Sequence, residues 1–180
     1  MLTLTANRLD VRKATEALLH VVASVPDMYR ALKVMYLADK LHLGAYGRLI
    51  YGEDYYAMSW GPVPSTGYDI LKAQRPRGAS PQVEWARSQF VAGGGHARRP
   101  ARVPDLDYLS ESDLRCLDEA ISTYGGLTFN QLKELTHDEA YNTVCPTGSC
   151  PPRSSTQMPL ETIATALPNA QQLLLHLRDG

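Results

Sequence analysis

Few residues in this sequence could carry chemistry, and a histidine at position 137 is the first candidate. His137 is followed by Asp138 and Glu139 in the segment LTHDEAYN. Histidine is the side chain best suited to act as a base near neutral pH. However, successive residues at the end of a helix point in different directions, so this spacing does not form a histidine–carboxylate pair. We expect His137 to hydrogen-bond backbone at the helix end.

Two of the three cysteines are the next candidates, because they lie five residues apart. Cys145 and Cys150, with His137 and either Cys116 or His96, could supply four zinc ligands. Prolines follow both cysteines and there is no second close pair, so the pattern is a weak zinc signal. We predict a protein without stoichiometric zinc or another cofactor.

The N-terminal segment and the cysteine count bear on the compartment. The segment MLTLTANRLDVRK has neither a long apolar core nor a cleavage site, so we expect no signal peptide. Three cysteines is an odd number. A cytoplasmic protein with reduced cysteines is the simplest interpretation.

A third candidate is Asp39, which interrupts the apolar side of a predicted helix. A buried carboxylate must be hydrogen-bonded or paired, so we expect Asp39 to tie this helix to a later segment. Arg30, Lys33 and Lys40 fall on another face, where we expect water to reach them. A metal-assisted hydrolase would require Asp39 and His137 to meet in an open pocket.

Arginines concentrate in the middle of the chain, although the formal net charge is only -1. Arg98 and Arg99 lie in GGGHARRPAR, a flexible segment that could contact phosphates. A nucleic-acid-binding regulator using residues 98–102 would need a contiguous basic face. The segment has no interleaved aromatic residues and no helix-turn-helix precedes it, so we do not expect nucleic acid to be the partner.

The stretch DYYAMSWGPVPS, residues 54–65, presents aromatic rings in alternation. In a strand, Tyr56, Met58 and Trp60 would share one face, and residues 55, 57 and 59 the other. One face must line the core, and the sequence leaves open whether Tyr56 and Trp60 fill it or form a protein-binding surface. Gly61 and Pro62 are expected to end the strand.

Composition and periodicity together indicate the fold. The chain has 180 residues, of which 44% are hydrophobic and 21% charged, as in an ordinary soluble domain, and no apolar run could span a membrane. We predict one α+β domain over residues 1–180, mostly helical, with a small antiparallel hairpin after the second helix. Helices are predicted at 10–25, at 28–43 ending at Gly44, from Ser65 to Leu71, after Ser110, after Thr128, at 160–166 and at 169–178. Strands are predicted on both sides of a turn at 52–54, and at 83–92.

The central stretch, from LKVMYLADK to GPVPSTGYDIL, resembles the core of the Panacea, or SocA-like, antitoxin domain. The shared pattern is a helix with Tyr-Leu-Ala-Asp, a Gly-Arg pair, a Gly-acid turn and an aromatic-flanked Ala before Gly-Pro-Val. It continues in YGGLTFNQLKELTHDEAY, where Tyr141 replaces a tryptophan expected in many relatives. The resemblance covers about residues 12–142, followed by a helical C-terminal extension of about 156–180.

The resemblance implies an antitoxin rather than an enzyme. Family members neutralise partner toxins in bacteria and their prophages, largely by protein–protein contact, and some are thought to deliver a partner to a protease. A cognate toxin is therefore the expected partner, and a protease complex a further one. The expected interaction residues are Arg48, Tyr56, Trp60, Arg98, Arg99 and His137, with structural roles for Asp39, Gly52, Gly61 and Pro62. The identity of the toxin and the oligomeric state stay open.

Overall fold

The longest helix, α2 (Met28–Tyr46), is the central element of the structure, a computed structural model that describes residues 7–179. Asp27 caps its first turn by accepting the backbone N–H of Arg30. The prediction that Gly44 ends this helix is wrong, because the helix continues to Tyr46. Gly47, at φ 72°, is the residue that adopts the left-handed conformation common after the last turn.

The other elements follow in chain order. The helices are α1 (Val11–Ser24), α3 (Ser65–Leu71), α4 (Pro81–Ser88), α5 (Glu111–Tyr124), α6 (Phe129–Thr136), α7 (Glu139–Val144), α8 (Leu160–Thr165) and α9 (Ala170–Asp179), with a 3₁₀ turn at Leu106–Tyr108. The strands are β1 (Tyr55–Met58), β2 (Gly61–Pro64), β3 (Phe90–Ala92), β4 (Arg98–Pro100) and β5 (Thr156–Met158). The predicted α+β class, mostly helical with a small antiparallel sheet, is confirmed.

Two clusters of buried side chains lie on different sides of α2. One combines α2 with α1, α3 and α5, through residues such as Leu18, Met35 and Leu117. The other combines it with β1, α7 and α8, through residues such as Tyr36 and Tyr141. Because α2 contributes to both clusters, it leaves little of its surface to water, as a helix that is apolar on several sides should.

The hairpin after α2 lies later in the chain than predicted. Residues 49–51 form no strand, with bends at Ile50 and Tyr51, and the turn joining the two strands is Ser59–Trp60 rather than 52–54. Gly61 and Pro62 therefore begin the second strand instead of ending the first. Proline is tolerated there because β2 is an edge strand of the sheet β2-β1-β5, so its missing N–H breaks no bond to a further strand.

The predicted strand at 83–92 is also wrong over most of its length. Ser80 accepts the backbone N–H of Val83 and Pro81 occupies the first turn, which starts α4. Only Phe90–Ala92 is extended, and it pairs with β4 across the three glycines at 93–95. The sequence predicts Ser65 as the N-cap of α3, and this is wrong: Ser65 is the first helical residue, and the cap is Pro64, which offers no side-chain acceptor.

Within residues 7–179, no helix combines the length and apolar character needed to cross a bilayer. The signal-peptide expectation concerns a segment whose first six residues lie outside the described part of the chain.

Candidate functional site

A pocket of about 540 Å³ lies where the hairpin meets the first half of α2, a size typical of ligand-binding sites. Its walls come from α2, the β1–β2 hairpin, α3, α6 and the turn between β3 and β4. Four aromatic rings line it, from Tyr29, Trp60, Tyr68 and Phe129. Tyr29 packs edge-on against Phe129 at a centroid distance of 6.4 Å, so these rings form one continuous apolar surface.

Trp60 lies at the rim of this pocket, in the turn of the hairpin. Its side chain is 60% exposed, which is unusual for so large an apolar residue. The ring packs edge-on against Phe129 at 6.2 Å, and the Nζ of Lys133 lies 4.8 Å from its centroid. The ring is thus held from two sides and still faces solvent.

The strand leading to Trp60 shows which of its two faces lines the core. Tyr55 and Ala57 are buried in the core, whereas Tyr56 and Met58 are only half-buried on the other face. Tyr56 stands opposite Val63 on β2, and both Met58 and Val63 line the pocket. The face that carries Tyr56 is therefore the outer one, continuous with the pocket rim.

Lys33 of α2 lines the pocket, contrary to the expectation that water reaches it freely. The residue is 3% exposed, and its Nζ donates to the carbonyl of Trp60 at 2.5 Å. Burial, with a smaller contribution from the charge of Lys133, lowers the pKa of Lys33 to about 8. The prediction was wrong because α2 packs on several sides, which leaves no free face where Lys33 lies.

His137 is the residue that follows α6, and it is not among the residues that line the pocket. Its Nδ1 donates to the carbonyl of Gly148 at 3.2 Å, and its ring stacks on Tyr141 at 4.2 Å. Nε2 is buried and faces the Trp60 backbone without completing a hydrogen bond. Burial therefore lowers the pKa of His137, with help from Lys33 and Lys133.

Asp39 lies in the interior and is 1% exposed. Its two carboxylate oxygens accept the N–H of Ile50 at 2.7 Å and the hydroxyl of Tyr55 at 2.6 Å. These contacts join α2 to the segment after it and to β1. Burial raises its pKa to about 6, against the opposing effect of the two hydrogen bonds. Asp39 does not line the pocket beside His137, so these two side chains form no shared open site.

The Gly-acid turn at residues 52–53 supplies the carboxylate that caps the first turn of α3. The Glu53 carboxylate accepts the backbone N–H groups of Thr66 and Gly67, both at 3.0 Å, and the hydroxyl of Tyr51. Burial raises its pKa to about 7. Gly52, at φ 74°, leaves no room for a Cβ against the backbone of residues 7 and 8. These contacts fix where α3 begins.

Arg48 is directed towards the start of α5. Its guanidinium donates to the carbonyls of Leu49 and Ile50 and to the buried carboxylate of Asp113, the last at 3.1 Å. Asp113 also pairs with Lys13 at 2.6 Å. The described contacts of Arg48 are therefore internal, and they involve different elements from those that surround Trp60.

The arginine-rich segment does not form the contiguous basic face that a nucleic-acid-binding regulator would need. Arg98 is 8% exposed, and its side chain donates to the carbonyls of Leu71 and Ala97. Arg102 pairs with Glu16 at 2.7 Å, and Arg87 donates to carbonyls at the end of α3. Arg99 is exposed on β4.

The structure places the sulfur atoms of Cys145 and Cys150 in bonding contact, as in a disulfide, whereas the sequence predicts reduced cysteines. The short loop holds their Cα atoms 5.1 Å apart, within the range that a disulfide requires. Cys116 is a buried free thiol. Across residues 7–179, no three His, Cys, Asp or Glu side chains are grouped in a way that could hold a metal ion.

Comparison with family models places this site within a known domain. Residues 32–142 match the model described as "Antitoxin SocA-like, Panacea domain". The chain belongs to this family. The match confirms the resemblance drawn from the sequence, and it contains most of α2, both hairpin strands and all of α6. Searches of curated proteins and of solved structures found no match.

Sequence reasoning found part of the pocket in this Panacea domain and missed the rest. Trp60 was selected by its place in the aromatic stretch, whereas Lys33, Tyr29 and Phe129 were not. The burial of Lys33 could have been predicted, since a lysine on a helix that is apolar on several sides has little exposed surface to occupy. No feature of the sequence indicates that Phe129 lines a pocket, because an aromatic residue at the first position of a short helix is equally consistent with a core contact.

Proposed function

We propose that this protein is an antitoxin that neutralises a partner toxin by direct binding. The observation that carries the proposal is Trp60, which is 60% exposed at the rim of an aromatic pocket, in a chain of the SocA-like antitoxin family. Exposed, held aromatic rings offer a large contact area at a small entropic cost. Binding hot spots are enriched in Trp and Tyr for this reason.

The proposed contact surface comprises Trp60, the outer face of the hairpin with Tyr56, and the pocket behind them. His137 supports this surface, because its ring packs on Tyr141 and lies beside Gly61, the residue that follows the turn. Arg99, exposed on β4, is a further candidate near the β3–β4 turn, whereas the described contacts of Arg48 and Arg98 are internal.

The alternatives receive less support from the geometry. An enzyme using Asp39 and His137 would need the two side chains in one open site, and they are separate. We propose that the protein has no catalytic activity. We further propose that it acts in the cytoplasm, beside a toxin made in the same cell. Disulfides are uncommon in that compartment, so Cys145 and Cys150 should be reduced and open to alkylation in intact cells, and a pair protected from alkylation would contradict the cytoplasmic location.

The test of the function is neutralisation. The product of the open reading frame adjoining this gene is expressed alone and together with this protein, and growth is measured. Growth arrest that is relieved on co-expression, with co-purification of the two chains, is the expected result. A product that is harmless, or a toxin that is not relieved by this protein, would contradict the proposal.

A further inference from the structure

The charge of the pocket indicates what kind of partner segment it accepts. Lys33 lies in its wall at 3% exposure with one hydrogen bond, to the carbonyl of Trp60. Among residues 7–179 it takes part in no ion pair. An ammonium group has three donors, and a buried charge is normally paired. The pocket therefore contains a cation whose bonding capacity is incompletely used.

The neighbouring charges reinforce this positive character. Lys133 lies over the Trp60 ring at the rim, and Arg30 lines the pocket while donating to two carbonyls. The acid in the pocket wall is Asp27, whose carboxylate accepts the N–H of Arg30 as the cap of α2. Glu134 borders the adjoining surface beside Lys133. Asp27 keeps its negative charge while it caps α2, but Arg30 and Lys33 in the same wall are both cations, so the pocket wall stays positive.

We propose that this pocket binds an acidic side chain of the toxin together with an apolar side chain next to it in the toxin sequence. The carboxylate would accept from Lys33, and the apolar side chain would pack on Trp60 and Phe129. The proposal rests on the proposed function, because it specifies the chemistry of the same binding surface. Charge complementarity selects the partner here, and a carboxylate in this apolar setting would form a charge-assisted hydrogen bond.

The test uses capped peptides, which do not depend on identification of the toxin. The probes are acetyl-Gly-Phe-Glu-Phe-Gly-amide and the matched peptide with Gln in place of Glu. The chain has two tryptophans, so the Trp85→Phe background leaves Trp60 as the reporter of binding by fluorescence. The Glu peptide is expected to bind about tenfold more tightly than the Gln peptide. Equal affinity of the two peptides, or no binding of either, would overturn the proposal.

Two variants identify the cation responsible. Lys33→Met keeps an unbranched side chain without the charge, and it should abolish the preference for Glu while leaving the melting temperature unchanged or raised. Lys133→Met removes the rim charge and should keep most of the preference. Loss of the preference only in Lys133→Met would overturn the assignment to Lys33. If Lys33→Met does not fold, the preference for Glu in the Trp85→Phe background still tests the proposal, and its persistence in Lys133→Met still excludes the rim charge as its source.

A third peptide distinguishes an acidic side chain from a C-terminal carboxylate as the group that Lys33 binds. The Gln peptide with a free C-terminal carboxylate should bind no better than its amide, and tighter binding would overturn the choice of an acidic side chain. Failure of neutralisation is measured in cells with the unmodified protein. A protein that neutralises its toxin but shows no preference for Glu would therefore contradict this inference alone.

Discussion

Asp39 is the residue whose role is most directly open to measurement. Asn could keep both contacts, because its amide oxygen can accept the Ile50 N–H and its NH₂ can donate to the Tyr55 hydroxyl. Ala would strand both groups, at about 1–3 kcal/mol for each. We therefore expect Asp39→Ala to lower the free energy of unfolding substantially and Asp39→Asn to lower it little. Equal losses in urea unfolding, or none in Asp39→Ala, would contradict this role.

The pH dependence of stability in the parent protein and in Asp39→Asn gives an independent prediction. The raised pKa of Asp39 means that its carboxyl stabilises the fold below pH 3.8 and loses that contribution as the pH rises through about 6. Asn cannot titrate. The stability of Asp39→Asn relative to the parent should thus increase from pH 4 to pH 7, by about 1.4 kcal/mol per pKa unit of the shift. Glu53 and His137 titrate in both proteins and cancel in the difference. A difference that does not change with pH would show that the carboxyl is unperturbed.

At the scale of elements, the β1–β2 hairpin depends on Gly61. Its φ of 114° is one that other residues rarely adopt, and a Cβ would lie 2.7 Å from the Nζ of Lys33. Gly61→Ala should lower the free energy of unfolding by about 1–3 kcal/mol and displace the Trp60 turn. Gly126→Ala is the matched control, since its Cβ would meet nothing within 4 Å. Similar unfolding curves for the two variants would refute this dependence.

The hairpin also shows how far the sequence determines this fold. Helices with clear caps, such as those after Asp10, Ser110 and Thr128, begin where their side chains predict. The hairpin was misplaced because Gly-Pro can end a strand or start an edge strand, and only the strand order distinguishes the two. The prediction that Ser65 caps α3 failed for a similar reason. The first N–H groups of α3 donate to the carboxylate of Glu53, twelve residues before the helix. Local sequence does not reveal so distant a partner.

Over the molecule as a whole, the distribution of charge favours the proposed antitoxin function over that of a nucleic-acid-binding regulator. The net charge is only -1. The guanidinium groups of Arg87, Arg98 and Arg102 are already bound to acceptors within the protein. We expect weak binding to random duplex DNA at physiological salt, because few arginines are free for phosphates. Each phosphate contact adds about 0.9 to the slope of log affinity against log salt. Tight binding with a slope indicating many contacts, in a fluorescence titration, would favour the regulator.

Binding of the toxin by the surface around Trp60 can be measured by calorimetric titration with the purified toxin. Trp60→Ala and Tyr56→Ala should each weaken binding, with the larger loss at Trp60, about 30-fold or about 2 kcal/mol, and unchanged melting temperatures. Tyr108→Ala is the control, because Tyr108 is an aromatic residue of 45% exposure that contacts Arg12 outside the pocket. Full affinity in both hairpin variants, with their folds intact, would show that this surface does not bind the toxin.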